Sequence, residues 1–203
     1  TRSNTQSIID LAKQRTFDVS TASFNSDANL IFDGADDYIT VADNPNNGDS
    51  AASWEFVVKF GAVHDNETSV YRQIYIQEAS VWIAQYYDYI GIDLRKDNNS
   101  WFDGNGGVTT SSQIGPVSSS TWYHGIFTFN NGVIKGYLNG VLGFTETQSG
   151  MTGLKNGTTP RRIGRRSSQP LLGDLPVFKV YDIELTAQQV QQNFNAYKTR
   201  FGI

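Results

Sequence analysis

The sequence predicts an all-β chain, folded as a two-sheet antiparallel sandwich or a barrel, with one helix at its C-terminus. Three observations carry this. Apolar residues recur with period two in short runs, the pattern of half-buried strands. Asn-Gly and Asp-Gly pairs, which accept positive φ and close hairpins, punctuate those runs. A single segment, beginning at Leu185, changes to helical spacing.

In chain order, the strand candidates are Leu30–Phe32, Tyr38–Val41, Trp54–Phe60, Ser69–Gln77, Val81–Tyr86, Tyr89–Leu94, Trp122–Phe129, Val133–Leu138, Arg161–Ile163 and Pro176–Tyr181. The turn pairs are Asp103-Gly104, Asn131-Gly132, Asn139-Gly140 and Asn156-Gly157. Many short strands separated by turns favour a sandwich or barrel over a parallel sheet. In LTAQQVQQNFNAYKTRF, Val190, Phe194, Tyr197 and Phe201 fall on one helical face, and Thr186 with Gln189 forms a capping box. No linker, repeat or low-complexity tract divides the chain, so residues 1–203 are read as one domain.

Composition narrows the function. Apolar content of 38% with 13% aromatics supports a folded core in a chain of 203 residues. A net charge of −4 gives no basic surplus, so no nucleic-acid partner is expected. No apolar run reaches the roughly 18 residues that span a bilayer, so no membrane insertion is expected. With no cysteine, disulfides, zinc-thiolate sites and thiol nucleophiles are excluded together. The chain begins at Thr1 with no signal peptide, and a processed product or a piece of a longer polypeptide is expected.

Three segments carry a resemblance: FDGADDYITV, STWYHGIFTFNNGVIKGYLNGVLGF, and RRIGRR…GDLPVFKVYDIELTAQQVQQNFNAYKTRFGI. In this order they resemble the laminin-G-like jelly roll of the concanavalin A-like lectin/glucanase superfamily, from about Ile8 to the end of the chain. The resemblance implies an antiparallel jelly-roll sandwich and an extracellular or virion-surface setting. The tail NFNAYKTRFGI is similar to versions in large bacteriophage structural proteins, which implies a decoration role and capsid or tail proteins as partners.

The acidic stretch between the first two strand candidates has two readings. Asp33, Asp36 and Asp37 suit a turn, because Asp side chains bond nearby backbone. They also suit a hard cation, since Ca²⁺ takes six to eight oxygen ligands. The superfamily often holds calcium at the sandwich edge between an early strand and the last, which implies Asp33 or Asp36 meeting Asp174. The chain departs from the family pattern at Pro176, near where a further acidic residue usually follows.

Catalytic signals are absent. The five glutamates, Glu55, Glu67, Glu78, Glu146 and Glu184, form no Glu-x-Asp-x-Glu motif of the kind that glycosidases of this superfamily use. No Gly-x-Ser-x-Gly elbow and no phosphate-binding glycine loop occurs. His64 lies in a loop-like stretch, and His124 sits in the Trp-Tyr-His segment, where the family's histidine is usually structural. A non-enzyme is expected, with a polysaccharide-degrading lyase or hydrolase as the alternative.

Period two gathers polar and aromatic side chains on one face of neighbouring strands. In SVYRQIYIQ these are Tyr71, Gln73, Tyr75 and Gln77, and in YIGIDLR they are Tyr89, Asp93 and Arg95. Trp101 lies in a loop rich in glycine and asparagine. Aromatic rings pack against the CH face of a pyranose while amides and charges bond its hydroxyls, so these eight residues are the expected contact surface for a glycan. The same mix serves a protein partner or an ordinary solvated sheet. In RRIGRR, alternation places Arg161 and Arg165 on one side and Arg162 and Arg166 on the other, and pairing with nearby aspartates is expected. The expectation is a non-catalytic adhesion or decoration module, with self-association among its possible states.

Overall fold

The computed structural model describes residues 8–10, 15–17, 22–27, 29–41, 48–63, 71–77, 80–95, 112–156, 161–166 and 169–203. Its elements run β1 (Ile8–Asp10), β2 (Arg15–Phe17), β3 (Ser23–Phe24), β4 (Leu30–Asp33), β5 (Ile39–Val41), β6 (Ala51–Phe60), β7 (Tyr71–Gln77), β8 (Val81–Tyr86) and β9 (Tyr89–Leu94). They continue as β10 (Gln113–Ile114), β11 (Trp122–Asn130), β12 (Val133–Leu138), β13 (Val141–Thr147), β14 (Arg161–Ile163), β15 (Arg165–Arg166), β16 (Gln169–Pro170), β17 (Leu172–Tyr181) and α1 (Ala187–Phe201).

Two antiparallel sheets form the sandwich. One has seven strands in the order β13-β12-β11-β6-β17-β4-β3, and the other has six in the order β10-β9-β8-β7-β14-β5. The pairs β1–β2 and β15–β16 are separate two-stranded ladders, the second lying against β7. Two hairpins follow directly from their turn residues. Asn131 and Gly132 take φ 43° and 83°, and Asn139 and Gly140 take 50° and 79°. These left-handed conformations match the right-handed twist of the strands they join. A Cβ on Gly132 would also stand 2.5 Å from the Gln148 carbonyl oxygen, so no larger residue fits there.

The inward faces interdigitate. Trp54, Phe56 and Phe60 of β6 meet Phe127 and Phe129 of β11, with Ile74, Ile83, Ile90 and Ile92 supplied by the opposite sheet. Each such side chain, fully withdrawn from water, contributes about 1.5–3 kcal/mol. The helix covers the outward face of the seven-stranded sheet, where Val190 and Leu185 pack on Ile126 and Tyr137. Thr186 and Gln189 cap its start reciprocally, and Gly202 ends it at φ 69°. Val190 and Phe201 are buried, as their spacing predicted.

Some elements were not expected from the pattern. β13 carries Gly143 in its interior and is exposed along most of its length, so it shows little hydrophobic alternation. β17 starts at Leu172 rather than Pro176, and its register on β6 shifts between Asp174 and Val177, where Pro176 has no N–H to give the ladder. The run Arg161–Arg166 is not one alternating strand. Gly164, at φ 90°, separates β14 from β15. Arg161 is fully buried, Arg162 lies over the Tyr38 ring at 5.3 Å, and Arg165 donates to the Asp36 carbonyl oxygen at 3.2 Å. Among the described residues, no helix is long and apolar enough to cross a membrane.

Candidate functional site

The six-stranded sheet presents its outward face through a register that the hairpins fix. Tyr71 opposes Tyr86, Gln73 opposes Ala84, and Tyr75 opposes Ile83. Ile74 is therefore one residue too many on β7, a β-bulge that sends Ile74 and Tyr75 to the same side of the sheet. Both belong to the core. The alternation that would have placed Tyr71, Gln73, Tyr75 and Gln77 together is broken at this point. Tyr71 and Gln73 face outward. Tyr75 and Gln77 face inward and are buried, with Tyr75 tilted against Phe178 at 4.9 Å between ring centroids. Burial holds the Tyr75 phenol well above its ordinary range.

The bulge is tied by Gln73, whose Nε2 donates to the carbonyl oxygens of Tyr75 and Ile83. Gln73 is thus committed to backbone and buried. Asp93 opposes Trp82 on the outward face and is also buried. Arg95, at the end of β9, is half-buried and its backbone N–H donates to the Ser80 carbonyl at 2.8 Å. Trp101 and His64 lie outside the described residues.

This face is most exposed at the β8–β9 hairpin, while Trp82 and Arg162 elsewhere on it are half-buried. Tyr71 and Tyr86 stack across the strand pair at 4.8 Å, and Tyr87 meets Tyr86 edge-on at 4.3 Å. Tyr89 follows in register beside Tyr86 and is 36% exposed. Four tyrosines, from β7, β8, β9 and the β8–β9 turn, make one aromatic cluster. The turn has an unusual residue in it. Tyr87 adopts φ 54°, where the Cβ of an L-residue is crowded and glycine or asparagine is favoured. Such a conformation costs about 1–3 kcal/mol, and strain of this kind concentrates at binding sites. The Tyr86 phenol, hydrogen-bonded to Tyr87 and partly desolvated, is pushed up to about 12, and the Tyr71 phenol is raised by burial and by the Asp93 charge. These hydroxyls stay protonated at neutral pH and present O–H donors beside the rings.

Of the expected contact residues, the structure brings together Tyr71 and Tyr89 and adds Tyr86 and Tyr87. The signal for these two was in the sequence. A two-residue connection between Tyr86 and Tyr89 sets the hairpin register, and Trp82, Ala84 and Tyr86 alternate onto the face of Tyr89.

The acidic stretch resolves differently from expectation. Asp174 lies across from Lys59 on β6 and pairs with its ammonium at 2.6 Å, so it is not part of an Asp33–Asp36 group. Asp37 takes that place: carboxylate oxygens of Asp33, Asp36 and Asp37 lie within 4.8 Å of one another. Two of these oxygens already serve the turn. Asp37 Oδ2 accepts from the Asp33 N–H at 2.7 Å, and Asp33 Oδ1 accepts from the Ala35 N–H at 2.8 Å. The donor set suits calcium in kind, being hard carboxylate oxygen on one turn.

His124 sits far from this face. Its Nε2 lies 2.9 Å from Glu55 Oε1, under α1, with both side chains buried. Glu55 Oε2 also accepts from the Tyr181 hydroxyl, from Asn193 Nδ2 at 3.1 Å and from Lys179 Nζ at 3.4 Å. Burial alone would raise the Glu55 carboxyl, but the hydrogen bonds from His124 and Tyr181 and the Lys179 charge take it below its ordinary range. A carboxylate and an imidazole held this way fasten a helix to a sheet.

The chain matches the laminin G model of the concanavalin A-like lectin/glucanases superfamily over residues 33–191. No curated protein sequence matches it. Among solved structures, it is similar to the binding domain of Paraclostridial Mosquitocidal Protein 1, with TM-score 0.74 and 16% identity, covering 97% of this chain and 51% of that one. It is similar to the Botulinum neurotoxin serotype G binding domain, with TM-score 0.71 and 15% identity, covering 94% and 49%. It is also similar to the Botulinum neurotoxin serotype D ligand binding domain in complex with N-acetylneuraminic acid, with TM-score 0.66 and 16% identity, covering 91% and 48%. At these identities the likeness is one of fold. The chain spans about half the length of each.

Proposed function

Because the chain belongs to the concanavalin A-like lectin/glucanases superfamily, we propose that it is a non-catalytic binding module that takes a glycan on the tyrosine cluster of the β8–β9 hairpin. The observation that carries the reading is the clustering of Tyr71, Tyr86, Tyr87 and Tyr89, with Tyr87 kept at φ 54°. Aromatic faces attract the polarised C–H bonds of a pyranose, and phenol hydroxyls at the ring edges fix its orientation. The fold likeness to a toxin domain solved with N-acetylneuraminic acid supports looking for a carbohydrate.

The alternative, a polysaccharide lyase or hydrolase, needs an acid and a base that substrate can touch. The burial of Glu55 and His124 beneath α1 counts against using them in that way. The setting that goes with adhesion is extracellular or on a virion surface. The resemblance of NFNAYKTRFGI to bacteriophage structural proteins supports the second, and detection of the chain in purified particles tests it. Calcium is the proposed cofactor, held by Asp33, Asp36 and Asp37.

A glycan array probed with the purified chain, in calcium and in chelator, tests the reading. Binding to a defined group of glycans supports it. An array with no specific signal in either condition contradicts it.

A further inference from the structure

The tyrosine cluster carries a carboxylate of its own. Asp88 is the second residue of the β8–β9 turn, between Tyr87 and Tyr89, so its Cα stands about 3.8 Å from that of each. Its backbone carbonyl accepts from the Val117 N–H, and a Cβ on Gly115 would meet both that oxygen and the Tyr89 ring. The turn is thereby held by backbone. The Asp88 side chain is half-buried and makes no hydrogen bond or ion pair among the described residues. Gly115, Pro116 and Val117, the neighbouring segment, carry no charge. The arginines of the same sheet are placed elsewhere. Arg72, next to Tyr71, alternates to the opposite face and donates Nη1 to the Pro170 carbonyl oxygen at 3.3 Å. Arg161 is fully buried, Arg162 lies over Tyr38, and Arg95 stands at the far end of β9 from Tyr89. Among the described residues no cation acts on the Tyr71 or Tyr86 phenol, and the carboxylate charge that acts on Tyr71 is that of Asp93.

We propose that the cluster selects glycans by charge, taking neutral sugars and sugars with a protonated amino group, while Asp88 excludes those with carboxylate, sulfate or phosphate groups. The inference rests on the glycan reading of the same site and names its substrate class. A fixed negative charge beside the rings raises the energy of any anion brought there and lowers that of a cation. The rings act in the same direction, because their faces are negative and attract ammonium groups. With no arginine or lysine at the cluster among the described residues, a sugar carboxylate or phosphate would lose water without gaining a partner of opposite charge. Selection of this kind works by repelling the wrong ligand rather than by adding contacts to the right one. Asp88 is thus a specificity-determining residue, distinct from the tyrosines that supply the contact area.

The glycan array tests this when its signals are sorted by charge and read at about 0.01 M and about 1 M salt, where electrostatic fields reach about 30 Å and about 3 Å. Signals that Tyr89→Ala removes are expected on neutral and amine-bearing glycans, with sialylated and sulfated forms of the same chains weaker at low salt. Asp88→Asn removes the charge and keeps a residue that suits turns. It is expected to narrow the neutral-to-anionic ratio by about two- to fivefold at low salt, the effect of one unit charge a few ångströms away through water, and to leave it unchanged at high salt. Tyr89-dependent signal concentrated on sialylated, sulfated or uronic glycans would overturn the charge selection while leaving glycan binding in place. A ratio unaltered by Asp88→Asn at low salt would overturn the role of Asp88. An array with no specific signal contradicts the glycan reading itself, and the inference falls with it.

Discussion

Glu55 on β6 and His124 on β11 meet through Oε1 and Nε2 at 2.9 Å, and both are buried between the seven-stranded sheet and α1. The remaining carboxylate oxygen gathers Tyr181, Lys179 and Asn193, so one side chain links β6, β11, β17 and the helix. Removing one partner from a buried carboxylate network leaves the others desolvated and unsatisfied, at a cost of about 3 kcal/mol. Glu55→Ala is therefore expected to lose about that much in urea unfolding, whereas Asn193→Ala, which removes the Nδ2 hydrogen bonds to Glu55 and to the Tyr181 hydroxyl, loses about 1 kcal/mol. Equal, small losses in both would show that Glu55 does not organise this contact.

The same group sets a pH dependence. The folded carboxyl of Glu55 lies below its ordinary range, because its hydrogen bonds and the Lys179 charge outweigh the opposing effect of burial. Its contribution to stability is then complete above the unfolded value, about 4.3, and is lost as pH falls through the lower folded value. Glu184, bonded to Lys135 at 2.7 Å and to Asn130, has a depressed value and acts with the same sign. A melting-temperature profile of Glu55→Gln should be flatter than wild type below about pH 4.3 and parallel to it above. Profiles parallel over the whole range would remove Glu55 as the cause.

Tyr75 and Tyr89 were expected on one contact surface, and the structure separates them. Tyr75→Ala empties a core position and is expected to cost about 3–5 kcal/mol. Tyr89→Ala touches exposed surface and stays within about 0.5 kcal/mol. If chemical denaturation gave the two equal effects, the position of the β7 bulge would be wrong.

Much of the fold was legible because its signals are local. The Asn-Gly pairs at Asn131 and Asn139 each closed a hairpin, and Thr186 with Gln189 started the helix. The bulge at Ile74 was not legible, because an extra residue in β7 is defined by pairing with β8 and leaves no mark in the period of YRQIYIQ itself. For the same reason Tyr75 and Gln77 were assigned to the wrong face. Asp174 was expected in an acidic group with Asp33 and Asp36, yet the shift before Val177 holds it beside Lys59. Asp37, one residue along in the same turn, was the better partner. β13 escaped notice because its inward face carries the charged Glu146 beside Phe144 and a bulge falls at Gly143, so no apolar alternation marks it.

On the proposed calcium site at Asp33, Asp36 and Asp37, an ion bound only by the folded chain would stabilise it by RT ln(1 + [Ca²⁺]/Kd). Thermal unfolding in excess calcium is expected to exceed that in chelator by a few degrees, and Asp36→Asn is expected to shrink the difference. Identical curves across a calcium series would leave the three carboxylates as turn formers.

Glycan binding by the tyrosine cluster at the β8–β9 hairpin is what we propose for this chain. Calorimetric titration of an array-selected glycan into wild-type, Tyr89→Ala and Tyr87→Gly chains tests it most directly. The Tyr87→Gly change relieves the φ 54° strain, so this variant should melt no lower than wild type while losing a ring. At least a tenfold loss of affinity, about 1.4 kcal/mol, is expected in each variant, with the fold intact. Undiminished affinity in both would place the glycan elsewhere on the molecule and contradict the account.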